Sequence, residues 1–223
     1  MKLIFTPLLL LLLLLLSTNI KAQTFNITEE GDTVNITDGN NLKQGEWFIL
    51  GKDIKKAGWK RDQLVETGVY KDNKKNGKWT EYYENGKIKS EITYVNDEPN
   101  GYAKLYYDTG TPSEEGIWQN YHWVGNYRAF YENGNLRNYF HMNRQGKRTQ
   151  GQIYFYEDGS ERMEGEWNDG QENGTVTEYY DNGDKKSERV FNEGGKINET
   201  KCKTYQKTAK KKKKDSTPIM MKF

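Results

Sequence analysis

Five times along this chain the same phrase returns: Tyr, an acid, one of Asn, Thr or Asp, then Gly, ending at Gly86, Gly110, Gly134, Gly159 and Gly183. The glycines stand 24, 24, 25 and 24 residues apart. A period of that length belongs to stacked copies of one supersecondary unit, each too small to bury an apolar face alone. Asn-Gly and Asp-Gly supply the positive φ that tight two-residue hairpin turns need. Each copy therefore reads as strand, tight turn, strand, looser turn, with strands over residues 78–83 and 87–94 in the clearest one. A second glycine restarts the unit at Gly77, Gly101, Gly125, Gly151 and Gly174, after a loop such as residues 96–100.

Aligning the copies separates packing positions from free ones. Eight residues after each turn glycine stand Tyr94, Trp118, Met142, Trp167 and Phe191, always large and apolar. Before each turn sits an aromatic doublet: Tyr82-Tyr83, Tyr106-Tyr107, Phe130-Tyr131, Phe155-Tyr156 and Tyr179-Tyr180. Neighbours on a strand point to opposite faces, so each doublet puts one ring on either side of the sheet. Glu91, Glu115, Glu164 and Glu188 make an acidic column, broken by Tyr139, whose plain reading is cross-strand pairing with Lys or Arg.

A degenerate copy precedes the five, with Gly45-Glu46-Trp47 answering Gly77-Lys78-Trp79 and a charged insertion over residues 51–63. Six units result. The fifth is one residue short between Gly151 and Gly159, and because strand facing has period two it demands a bulge or a shifted start. The pattern Gly-x-Trp-x-x-Tyr-Tyr-x-Asn-Gly, followed by Glu and an aromatic, resembles the bacterial variant of the MORN repeat over residues 45–198. The best copy has Trp79, Tyr82, Tyr83, Asn85, Gly86, Glu91 and Tyr94 in place, whereas Ala103, Tyr127 and Val176 depart at the Trp position. The resemblance implies an extended sheet of consecutive hairpins and brings no catalytic residues; some members carry an antitoxin label.

Composition leads to the same architecture. Residues 23–223 hold 60 apolar residues, of which 29 are aromatic, so the chain cannot build a thick aliphatic core. It can cover one thin sheet with rings whose polar ends stay wet. The expected fold is all-β: an elongated single-sheet array of about six consecutive β-hairpin repeats of ~24 residues.

Both ends differ from this body. Lys2, nine leucines over residues 8–16 and Ala22 read as a signal peptide over residues 1–22, its apolar run short of the about 20 residues a membrane span needs. Residues 23–44 are expected to cap the first sheet edge, with short strands around Phe25-Asn26-Ile27 and Val34-Asn35-Ile36. The repeat domain follows over residues 45–198 and a Lys-rich disordered tail over 199–223. Residues 201–223 carry nine Lys and one Asp, against 23 basic and 31 acidic residues in 23–200. The run Lys210, Lys211, Lys212, Lys213 and Lys214 is a candidate electrostatic anchor.

Catalytic signals are thin. His122 and His141 lie in different repeats without metal-ligand spacing, Cys202 is the single cysteine, and the glycines serve turns rather than a phosphate loop. No cofactor is implied and an enzyme is not expected. The chain reads as an exported bacterial protein, periplasmic, cell-surface or extracellular, acting as a protein-interaction scaffold at the envelope. A carbohydrate or envelope-polymer binder is the alternative, through an exposed column of Tyr83, Tyr107, Tyr131, Tyr156 and Tyr180. An antitoxin or immunity-type partner is a narrower form of the scaffold. The partners expected are thus an unidentified protein, a glycan or an anionic envelope surface; export weighs against nucleic acid.

Overall fold

The computed structural model describes residues 22–54 and 57–208. Fifteen strands follow one another in chain order across one open antiparallel sheet, with almost no helix. They are β1 (Thr24–Ile27), β2 (Thr33–Thr37), β3 (Lys43–Leu50), β4 (Leu64–Lys71), β5 (Lys74–Tyr82), β6 (Ile88–Val95), β7 (Glu98–Tyr106) and β8 (Pro112–Gln119). The series continues with β9 (His122–Phe130), β10 (Leu136–Met142), β11 (Arg148–Phe155), β12 (Glu161–Asn168), β13 (Gln171–Tyr179), β14 (Lys185–Phe191) and β15 (Lys203–Thr204). A four-residue helix, Gly51–Ile54, opens the insertion of the first repeat. The all-β array of hairpins expected from the period is what forms.

Turn chemistry distributes itself the other way round from the sequence reading. At Tyr107 the N–H donates to the Thr111 carbonyl at 2.8 Å and the Gly110 N–H returns to the Tyr107 carbonyl at 2.9 Å. Only the glycine of that turn has positive φ, +90°, and the same holds at Gly86, Gly134, Gly159 and Gly183. These are three-residue loops, a type I turn closed by one left-handed glycine. The tight two-residue turns lie at the connections read as looser: Asp72-Asn73, Asn96-Asp97, Asn120-Tyr121 and Asp169-Gly170 all have two successive positive φ values. Most of the loop expected over residues 96–100 is therefore the start of β7.

The restart glycines are bulge residues. Between β4 and β5, Thr67 faces Thr80 but Val69 faces Asn76, which leaves Gly77 and Lys78 as extra residues on β5. The same two-residue excess recurs at Gly125-Asn126 and Gly174-Thr175. A left-handed first residue is the requirement of this bulge type, met by Gly77, Gly125 and Gly174 at φ +71°, +67° and +69°. In the fifth repeat the register puts the bulge at Gln150-Gly151, and Gln150 takes φ +60°. Gln150, not Gly151, is thus the counterpart of Gly77: the missing residue is absorbed by a shifted start.

The chain divides into two compact units, one of the residues up to Gly86 with Thr93–Glu98, the other of Lys87–Ile92 and the residues from Pro99 on. In the first, Trp47, Tyr70 and Trp79 pack edge-to-face at 5.5 and 4.7 Å. Trp79 is 1% exposed and lies flat on the backbone of Gly68, where any Cβ would overlap its ring. Its indole N–H caps the Val69 carbonyl at 3.1 Å. Lys43 and Lys75 lay their ammonium groups over these rings. In the second unit the rings of Trp118, Trp123, Tyr127, Phe140, Tyr154 and Trp167 run on from strand to strand with centroids 4.8 to 6.4 Å apart. Ala103, Ala129 and Val176 are buried within the sheet's aromatic cover.

Candidate functional site

The tyrosine column that the sequence offers as a binding surface is half-buried along its length, at Tyr83, Tyr107, Tyr131, Tyr156 and Tyr180. Tyr107 donates its hydroxyl hydrogen bond to the Phe130 carbonyl, Tyr131 to Phe155 and Tyr156 to Tyr179, each at 2.8 Å. Every acceptor is the residue just before the next tyrosine of the column. From Tyr107 on, the column is thus a ladder in which one repeat is tied to the backbone of the next. A tyrosine is needed because only a ring of that length carries a donor across a strand pair while burying its apolar body.

The other doublet member meets the acidic column. Tyr106 donates to Glu91 at 2.6 Å, and Tyr179 donates to Glu164. Burial and the adjacent carboxylate together raise both phenols well above their ordinary range. Where the doublet carries Phe130, Glu115 is served instead by Arg128 Nε at 3.0 Å, Lys104 at 3.6 Å and the Tyr102 hydroxyl at 2.8 Å. Burial first, then the Glu115 bond, raises Tyr102 to about 12. Where the acid itself is missing, at Tyr139, the doublet carries Phe155, so donor and acceptor are lost together. Cross-strand pairing with Lys and Arg, the plain reading of the column, holds at Glu115, whose register partners are Lys104 and Arg128. The hydroxyl partners were not anticipated, because the doublet and the acid lie far apart in sequence.

Residues 199–208, read as the beginning of a tail, complete the ladder. After a 3-10 turn at Glu199–Lys201, β15 pairs with β14 through Ser187↔Thr204 and Glu188↔Lys203. Tyr180 donates to the Tyr205 carbonyl at 3.1 Å, and the Tyr205 hydroxyl reaches Glu188 at 2.8 Å. Asn182 Nδ2 reaches the Thr208 carbonyl at 3.1 Å, as Asn133 reaches Glu157 at 2.8 Å two repeats earlier. The segment therefore supplies the bonds a further repeat would supply, as a half-repeat cap. Lys185, with Tyr205 next, holds the Glu188 carboxyl below the usual range. A two-residue edge strand that contains Lys203 and is followed by Lys207 is a poor template for further pairing.

The remaining candidates separate clearly. The run Lys210 to Lys214 and the signal segment up to residue 21 lie outside the described residues. His122 Nε2 donates to the Arg144 carbonyl at 2.9 Å, and His141 Nδ1 meets Asn126 Oδ1 at 2.9 Å. Among the described residues no group of three His, Cys, Asp or Glu could hold a metal ion. Cys202 is a half-buried free thiol bonded to the Asn198 carbonyl. Sequence reasoning missed a shallow cavity of about 260 Å³ beside the buried Glu115, lined by Tyr102, Ile117, Asn126 and Arg128 among others.

An open sheet of hairpins, with repeated register shifts and tied by tyrosine hydroxyls, defines a β-hairpin repeat protein. The sequence profile of the MORN repeat variant matches residues 75–96, 123–143 and 172–193, and the chain therefore carries MORN-variant repeats. These are its second, fourth and sixth units. The fifth, with Gln150 in the glycine place, and the third, with Asp108-Thr109-Gly110 as its turn, fall outside the matched spans. No curated protein matches the chain.

Proposed function

We propose that the protein is an exported, non-enzymatic repeat scaffold that binds another protein at the cell envelope. The observation that carries this reading is the internal commitment of its two repeated polar columns. The tyrosine hydroxyls bond the next repeat's backbone, and the acids bond tyrosine, Lys or Arg. What varies from repeat to repeat, and so can hold specificity, is the surface between those columns. The same observation weakens the sugar-binding alternative, since rings held half-buried edge to backbone offer little open face for stacking. Export rests on the leucine-rich N-terminus.

The test is cell fractionation of the producing organism, followed by retention of solubilised envelope components on immobilised residues 23–223. The reading expects the chain outside the cytoplasm and a partner lost after protease treatment of the fraction. A cytoplasmic chain with its first residues intact, or retention that only glycan digestion abolishes, would overturn it.

A further inference from the structure

Tyr121 stands out from every repeat. It is the second residue of the two-residue turn between β8 and β9, at φ +66°, and its side chain is 74% exposed. The equivalent positions carry Asn73, Asp97 and Gly170, residues for which left-handed backbone is cheap. An aromatic there is strained, and an exposed ring regains no packing energy within this chain. Strain retained without internal compensation is a pointer to function.

The surroundings are those of an interface core. Two register steps inward from the turn, Trp118 faces Trp123, and their rings meet at 4.8 Å and 89°. His122 bonds the Arg144 carbonyl, bringing the β10–β11 turn beside Tyr121's own. Gly146 of that turn sits so close that a Cβ would come within 2.8 Å of the His122 ring. From His122 to Phe155 the chain has one acid, Glu132, against Arg128, Arg137, Arg144, Lys147 and Arg148, in a body whose residues 23–200 are net negative. Arg128 and Lys147 pair with Glu115 and Asp169, and Arg144 stands in the turn beside Tyr121's own. Trp, Tyr and Arg enriched, with Lys, Glu and Asp depleted, is the composition that marks the centre of protein–protein contacts.

We propose that the patch of Tyr121, Trp118, Trp123, His122 and Arg144 is where the scaffold holds its partner. The occupant is an acidic protein surface with an apolar recess that receives the Tyr121 ring. Charge complementarity argues for the acid, and the perpendicular tryptophans, which set an edge against a face and offer no flat platform, argue against a sugar ring. Of this chain's own acidic residues in 157–200 the C-terminal lysines meet Glu188 and Asp181, so a second copy is the other occupant that the test below separates. The inference rests on the scaffold reading.

The test places p-benzoylphenylalanine at position 121 in the full chain inside its own cells, with Val95, also exposed and in the first unit, as the control position. Light should join position 121, and not 95, to one protein through an acidic peptide, and Arg144→Glu should remove most of that adduct. With the purified partner, Tyr121→Asn should lower affinity about 30-fold while the melting midpoint stays level or rises, because Asn suits the turn. An adduct to a second copy, an adduct to polysaccharide, or full affinity in Tyr121→Asn would overturn the proposal. A protein adduct from 95 alone would overturn the patch and leave the scaffold reading standing; no protein adduct from either position would count against both.

Discussion

The second and fifth repeats solve one structural problem with different residues. Both open on a bulge, and both must cap a carbonyl that the bulge leaves behind. In the second, Gly77 takes the left-handed position without strain and the Trp79 indole caps Val69 at 3.1 Å. In the fifth, Gln150 takes that position and the Gln152 amide, fully buried, donates to Thr149 at 2.8 Å and to His141 at 3.2 Å. His141 occupies the place of Val69 in its own repeat. Tyr127 and Val176 stand in the donor place of the fourth and sixth repeats, so the left-handed residue is what the bulges share, and the side-chain N–H cap is an addition made in the second and fifth.

The largest way to break this comparison is at the buried position itself. Trp79→Ala should destabilise by about 3–5 kcal/mol, since it removes a core ring and the carbonyl cap together. Gln152→Ala should cost less, about 1–3 kcal/mol, chiefly through buried carbonyls left unmet. Equilibrium urea unfolding of the two variants reads both, and equal losses would deny that the two positions differ in packing. A smaller effect tests the bulge. Gln150→Gly should stabilise by about 1 kcal/mol by relieving the left-handed side chain, and Gly77→Gln should destabilise by a similar amount. Midpoints moving the other way would mean that the register shift is misassigned.

Much of the fold could be read before any coordinates. The 24-residue spacing set the hairpin count. Of the apolar column, by contrast, only Trp167 is buried, the others being half-exposed. The buried ones are Trp79, Ala103 and Val176, in one shared place two residues after the restart glycine. Turn types could not be read, because Asn-Gly serves a two-residue turn and a type I turn closed by glycine equally well. The fifth repeat misled because Gly151 beside Gln150 looked like the restart glycine, and only the register reveals which residue bulges. The cap at Tyr205 was hidden for a compositional reason: its two-residue strand lies in a Lys-rich stretch whose charge dominates any strand signal. The tyrosine column was visible as a column, but its use was not. A hydroxyl that bonds backbone one repeat away leaves no mark in local sequence.

That ladder is the central claim, and Tyr-to-Phe substitution tests it most directly. Replacing Tyr107, Tyr131 and Tyr156 together by Phe keeps the rings and deletes three hydroxyl bonds. Urea unfolding of this variant should show a loss of about 3 kcal/mol, roughly one for each bond, with an unchanged strand signature in circular dichroism. Wild-type stability in the triple variant would contradict the ladder and return the column to the surface as a site open for binding.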